Sequence, residues 1–153
     1  MFKINKLNDV SNENISISSS KVEIRKVGIG IIGYKLGLTF DISGKLNDNN
    51  YSFGFDLSCN PDDLLNLNPL ETVNYNNYKC NNDKFHIGET FFNFNEENGI
   101  EPDELNIKIS RYKDTRYLVY ITFIIEDYSG VIEFEFKLDE YLKDFMEGSN
   151  TYE

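Results

Sequence analysis

Apolar and polar residues alternate along most of this chain, and alternation over four to eight residues marks a strand with one buried face. Tyr34, Leu36, Leu38, Phe40 and Ile42 fall on one face of a segment, and Tyr51, Phe53, Phe55 and Leu57 on one face of the next. The eight residues 43–50 between them are polar apart from Leu46 and Gly44, which predicts an antiparallel hairpin with that stretch as its loop. Earlier, Ile15 and Ile17 alternate with polar residues, and Val22 and Ile24 do so after a serine run. Residues 1–13 are polar and predict irregular chain, anchored by Phe2 and Ile4.

The densest patterning lies near the C-terminus. Tyr117–Ile125 and Val131–Leu138 predict two strands joined by the four-residue loop Asp127–Gly130. That loop sets Ile125 against Ile132, Phe123 against Phe134, Ile121 against Phe136 and Val119 against Leu138. A slip of one residue would turn Glu133 and Glu135 inward, so the apolar face is strongly specified. Leu105, Ile107 and Ile109 begin the preceding strand. A three-residue turn, Tyr112–Asp114, with Asp114 left-handed, sets Ile107 opposite Val119 and Ile109 opposite Tyr117. Leu118, Tyr120 and Ile124 give the middle strand a second apolar face, as expected of a central strand covered twice. The expected cover is a helix over about 139–147, capped by Asp139, striped by Leu142, Phe145 and Met146, and ended by Gly148.

Asn60-Pro61-Asp62-Asp63 carries a capping residue, proline at the first helical position and acids in the first turn, so a short helical turn is expected near 61–66. Residues 66–83 are rich in Asn and Tyr, follow no readable period, and suit a binding loop. Residues 84–94 predict one or two short strands around Gly88, and 96–104 an acidic turn. The expected fold class is mainly β (α+β): an antiparallel sheet or sandwich of about eight strands with a short C-terminal helix. One domain over 1–153 is expected, with core strands in 14–57 and 84–138.

Composition agrees with the strands. The chain lacks Ala, Gln and Trp and holds 20 Asn, 16 Ile, 12 Phe and 10 Tyr. The best helix former is missing, and β-branched and aromatic residues are abundant. Charge changes the picture more. The net charge is −11, with residues 1–50 contributing +2 and residues 51–153 contributing −13. Such a surface repels phosphate backbones and favours a basic protein partner, so no nucleic-acid binding is expected. No apolar run is long enough to span a bilayer as a helix, and the start shows no signal-peptide core, so no membrane partner and a cytoplasmic location are expected. Cys59 and Cys80 do not form a disulfide framework. Free thiols are the expected state, with a single bridge as the alternative.

Candidate chemistry is sparse. Residues 28–33 spell Gly-Ile-Gly-Ile-Ile-Gly, which matches the dinucleotide-binding pattern literally. The exit from it alternates with period two, however, and the motif requires a helix there. The single histidine, His86, has only Cys59 or Cys80 as sulfur partners, and their spacing supports neither a catalytic pair nor zinc. Paired carboxylates occur at Asp62/Asp63, Glu96/Glu97, Glu101/Asp103/Glu104 and Glu133/Glu135. Calcium loops at 47–50 or 96–104 lack the EF-hand spacing. No catalytic residue, metal or cofactor is therefore assigned.

The strongest functional lead is the acidic C-terminal segment. Glu126, Asp127, Glu133, Glu135, Asp139, Glu140 and Asp144 form the expected partner-binding surface, with Glu147 beyond them. In size, charge and want of a catalytic constellation the chain resembles the small acidic immunity proteins that bacteria encode beside secreted toxins. That resemblance implies a non-enzymatic inhibitor that covers the basic cleft of a toxin domain. Two other readings accompany it: a β-sandwich module binding a small ligand or glycan in an aromatic pocket, and a carboxylate-dependent hydrolase.

Overall fold

The computed structural model describes residues 2–6, 15–16, 19–27, 36–46, 49–76, 78–94, 97–125 and 128–138. Among them are twelve strands and one short helix. The strands are β1 (Phe2–Lys6), β2 (Ile15–Ser16), β3 (Ser19–Val27), β4 (Leu36–Leu46), β5 (Asn49–Cys59), β6 (Thr72–Asn76), β7 (Lys79–Cys80), β8 (Phe85–Phe94), β9 (Glu97–Ile100), β10 (Glu104–Lys113), β11 (Arg116–Ile125) and β12 (Tyr128–Lys137); α1 spans Pro61–Leu65. All pairings are antiparallel. One sheet runs β2-β1-β12-β11-β10-β6-β7 and the other β3-β4-β5-β8-β9. The fold is mainly β, a two-sheet, sandwich-like arrangement, as the alternation predicts.

The two sheets meet through aromatic rings. Phe40 stacks on Phe55 within its own sheet, with centroids 4.6 Å apart. It then reaches across to Phe136 at 5.3 Å and Phe134 at 5.8 Å. Phe123 meets Phe53 at 5.9 Å and Phe92 at 5.1 Å. These separations suit stacked and edge-on ring pairs, which add to the area they bury. The inward faces expected from alternation are buried: Leu36, Leu38, Phe40 and Ile42 on β4, Phe53, Phe55 and Leu57 on β5, and Val119, Ile121 and Phe123 on β11.

Loops are shorter and strands longer than the polar composition suggests. The expected 43–50 loop is mostly strand, with Ser43 opposite Ser52, Gly44 opposite Tyr51 and Leu46 opposite Asn49. Backbone pairing continues past the end of the apolar stripe, because ladder hydrogen bonds need no apolar side chain. The same cause turns part of 1–13 into β1, which pairs with β12 from Phe2↔Ile132 to Lys6↔Tyr128. Likewise 85–94 is a single strand, with a register shift just after Gly88 where residues 89 and 90 oppose Phe55 alone, and the acidic turn near 96–104 contains β9. The unreadable 66–83 stretch holds β6 and β7.

The C-terminal hairpin keeps its predicted faces and changes its register. Ile125 faces Tyr128, Phe123 faces Gly130, Ile121 faces Ile132, Val119 faces Phe134 and Tyr117 faces Phe136. Asp127–Gly130 is thus not the loop; Tyr128, Ser129 and Gly130 belong to β12. The shift is even in residues, so it preserves which side chains point inward. Gly130 fills a steric need of Phe123: a Cβ there would lie 2.0 Å from Phe123 Cζ. The β10–β11 turn also differs. Asp114 is left-handed as expected (φ 49°), but Ile107 faces Ile121 and Ile109 faces Val119, with a bulge between Arg111 and Lys113. The bulge absorbs one residue, so the turn is tighter while Asn106 and Lys108 still point outward, both exposed.

The helical turn near 61–66 is α1, which begins at Pro61 with Asp62 and Asp63 in its first turn. Asn60 occupies the N-cap position, but its side chain makes no capping bond. α1 lies on the connection from β5 in one sheet to β6 in the other, and Leu64 is fully buried. The Tyr117 hydroxyl donates to the Leu64 carbonyl, and Arg111 Nη1 donates to the carbonyls of Leu65 (3.0 Å) and Leu67 (3.1 Å). The expected helix over 139–147 and the glycine run 28–33 lie outside the described residues.

Candidate functional site

β11 lies in the middle of the larger sheet, between β10 and β12. Its inward positions are buried, and its other face presents Leu118, Tyr120, Thr122 and Ile124. β10 contributes Glu104, Asn106 and Lys108 to that outer face, and β12 contributes Ser129, Val131, Glu133, Glu135 and Lys137. Register orders them into rows: Lys108–Tyr120–Glu133, then Asn106–Thr122–Val131, then Glu104–Ile124–Ser129. Tyr120 is 39% exposed and Tyr112, at the turn, 43%. The Tyr112 hydroxyl donates to Glu135 Oε2 at 2.9 Å, which fixes a ring and a carboxylate together on the surface. Tyrosines of this kind, apolar in body and polar at the tip, recur in protein interfaces.

Of the seven acids predicted to bind a partner, Glu133 and Glu135 lie on this face, two positions apart on β12, one half-buried and one exposed. Glu126, Asp127, Asp139, Glu140 and Asp144 lie outside the described residues. Charge on the described part of the face is mixed. Arg116 and Lys137 stand opposite each other at one end, Glu104 stands at the other, and Lys108 shares a row with Glu133. Composition could not show this balance, because it counts charges without placing them.

A half-open concavity of about 210 Å³ sits on the same face, lined by Glu104, Asn106, Thr122, Ile124, Ser129 and Val131, with Phe123 and Gly130 between them. Small-molecule sites usually measure about 300–1,000 Å³. This one therefore has the size of a side-chain subsite. Sequence reading misses it because it assembles only in the true register, in which Ser129 is a strand residue.

The other candidates separate. Cys59 is buried and free, and desolvation, then the charge of Asp63, pushes its thiol up to about 12 from an ordinary 9.0. A thiol so held is a poor nucleophile at neutral pH. Cys80 is free and half-buried. His86 is exposed and stands opposite Ser58 on the outer face of the smaller sheet, across from neither cysteine. Its ring lies along its own strand, with Cε1 only 3.1 Å from where a Cβ on Gly88 would sit. Among the described residues no group of three His, Cys, Asp or Glu side chains could hold a metal ion. None of their helices is long and apolar enough to cross a membrane.

In the Asn- and Tyr-rich stretch, Tyr78 is left-handed (φ 65°), and its hydroxyl donates to the Pro102 carbonyl at 2.7 Å. Tyr75 meets its ring edge-on at 6.2 Å. Both phenols are pushed up, first by burial, with the carboxylate of Glu101 adding to it. These contacts tie the β6–β7 turn to the start of β10. The stretch expected to form a binding loop is thus partly a fastening.

The fold and this face together define a mainly-β protein with an exposed aromatic and charged sheet surface. No family model, no curated protein and no solved structure matches the chain.

Proposed function

We propose that the chain is a non-enzymatic binding protein that covers a basic protein partner with the outer face of its larger sheet, in the manner of a bacterial immunity protein covering its toxin. The carrying observation is the pairing of Tyr112 with Glu135, beside exposed Tyr120 and Glu133 on a continuous three-strand surface. Tyrosine anchors supply contact area at low entropic cost, and carboxylates beside them select and steer cations. Placement of the other aromatic residues also favours this reading over a glycan or small-ligand pocket. Phe40, Phe53, Phe55, Phe92 and Phe123 are spent on one another in the core. A hydrolase would require two carboxyls converging across a cleft, whereas Glu133 and Glu135 stand side by side on one strand.

Titration against the basic product of an adjacent toxin gene tests the proposal. A stoichiometric complex is expected, weakened about tenfold or more by Tyr120→Ala and slowed in association at low salt by Glu133→Lys with Glu135→Lys. Unchanged affinity and association rate in both variants would refute the assignment of this face.

A further inference from the structure

The concavity between β10, β11 and β12 has a donor and acceptor balance that narrows what can enter it. Glu104, exposed at its rim, supplies a carboxylate. Asn106 Nδ2 donates one of its two N–H groups to Thr122 Oγ1 at 3.4 Å, and its amide oxygen Oδ1 adds an acceptor to the site. Ser129 adds a hydroxyl on the opposite strand, and Ile124 and Val131 add apolar wall. No lysine or arginine is among the lining residues. Lys108 stands one row farther along β10, in the row that also holds Tyr120 and Glu133. Groups able to accept a hydrogen bond thus ring a space with an apolar side, and the one charged group among them is a carboxylate.

We infer that this concavity is a subsite for an arginine side chain of the protein partner, its guanidinium held by Glu104, Asn106 and Ser129 and its methylene stem lying on Ile124 and Val131. Guanidinium fits better than ammonium for a geometric reason. Its five donors lie in one plane and can meet acceptors arranged along neighbouring strands, whereas a lysine presents a compact, strongly hydrated point charge. The long stem of arginine also matches an apolar wall beneath a polar rim. The volume of about 210 Å³ accommodates one side chain and excludes a folded ligand. The inference rests on the reading of this face as protein-binding, and it names the chemistry of the partner there.

The probe is the capped tripeptide acetyl-Gly-Arg-Gly-amide, followed by methyl and amide chemical shifts of the intact protein. Saturable shifts at Ile124, Val131, Thr122 and Ser129 are expected. They should be weaker with the lysine peptide and lost with the citrulline peptide, which keeps the shape and removes the charge. Glu104→Gln should weaken the arginine peptide about fivefold, the upper range for an exposed ion pair. Shifts that fail to saturate, or that the citrulline peptide reproduces, overturn the inference. The two proposals fail separately. Tyr120 lies outside the concavity, so a partner sensitive to Tyr120→Ala but indifferent to Glu104→Gln removes the arginine subsite and leaves the face. Saturable peptide binding with a partner indifferent to Tyr120→Ala and the Glu133/Glu135 reversals does the reverse.

Discussion

Gly130 sits in mid-strand, where glycine is normally a weakness, and the Phe123 ring occupies the space a side chain would take. That ring is stacked on Phe53 and tilted against Phe92, so it cannot swing aside. Gly130→Ala should therefore cost about 1–3 kcal/mol by overpacking, and Phe123→Leu in the same chain should recover part of it; urea denaturation of the four variants closes the cycle. Titration gives a second residue-scale expectation. Cys59 and Tyr117 are both pushed up to about 12 from ordinary values of 9.0 and 10.0, each chiefly by desolvation. The unfolded chain then loses these protons first as pH rises, so folding stability is fully present below about pH 9 and declines from there toward pH 12. Denaturant midpoints at pH 8, 9, 10 and 11 should fall along that course, and Cys59→Ala should flatten its first part. At pH 8 a thiol reagent should label Cys80 before Cys59 in the native protein.

Arg111 fastens one element to another. Nη1 holds the Leu65 and Leu67 carbonyls at the end of α1, while Nε donates to the Asp114 carbonyl (2.6 Å) at the β10–β11 turn. Lysine has no planar fork and cannot reach both sides. Arg111→Lys should cost about 1–3 kcal/mol in denaturant unfolding and raise amide exchange in residues 66–68 before the sheets. The α1 end of this clamp was not legible in the sequence, since it joins residues 44 and 46 apart through backbone carbonyls. Faces were legible and registers were not, for one reason. Side-chain alternation fixes the parity of a strand, and any even shift of register satisfies it equally. Gly130 looks like a turn residue by type; only the bulk of Phe123 opposite reveals why it lies inside β12. The bulge after Arg111 also adds a residue without leaving a mark in the apolar pattern.

Across the whole molecule, β7 covers only Tyr75 and Asn76 of β6, and the rest of that edge of the larger sheet is closed by Asn81. Asn81 donates from its backbone to the Asn74 carbonyl (2.9 Å), accepts from the Asn74 amide at Oδ1 (2.8 Å) and donates from Nδ2 to the Thr72 carbonyl (3.1 Å). It extends the cover that β7 begins, in the place where further strand pairing would lie. Asn81→Val would leave the Asn74 amide and the Thr72 carbonyl open, and concentration-dependent association by light scattering is the expected result. The face proposed for binding was half legible at this scale. Glu133 and Glu135 were placed outward correctly, but the cations Lys108, Arg116 and Lys137 that share the surface come from three strands, and only topology brings them together. Topology also governs how the chain reaches its native state. β1 pairs with β12, so Phe2 waits for Ile132, and β12 in turn needs β11. One edge of β1 has a local partner in β2, through Lys3↔Ser16 and Ile4↔Ile15, while its other edge waits for β12, about 125 residues farther along the chain. Closing so long a loop defers the gain from pairing until its entropy has been lost, and refolding is expected on the slow, millisecond-to-second scale of non-local β folds. In that interval the β12 side of β1 is an open strand edge, so aggregation during refolding should rise with protein concentration.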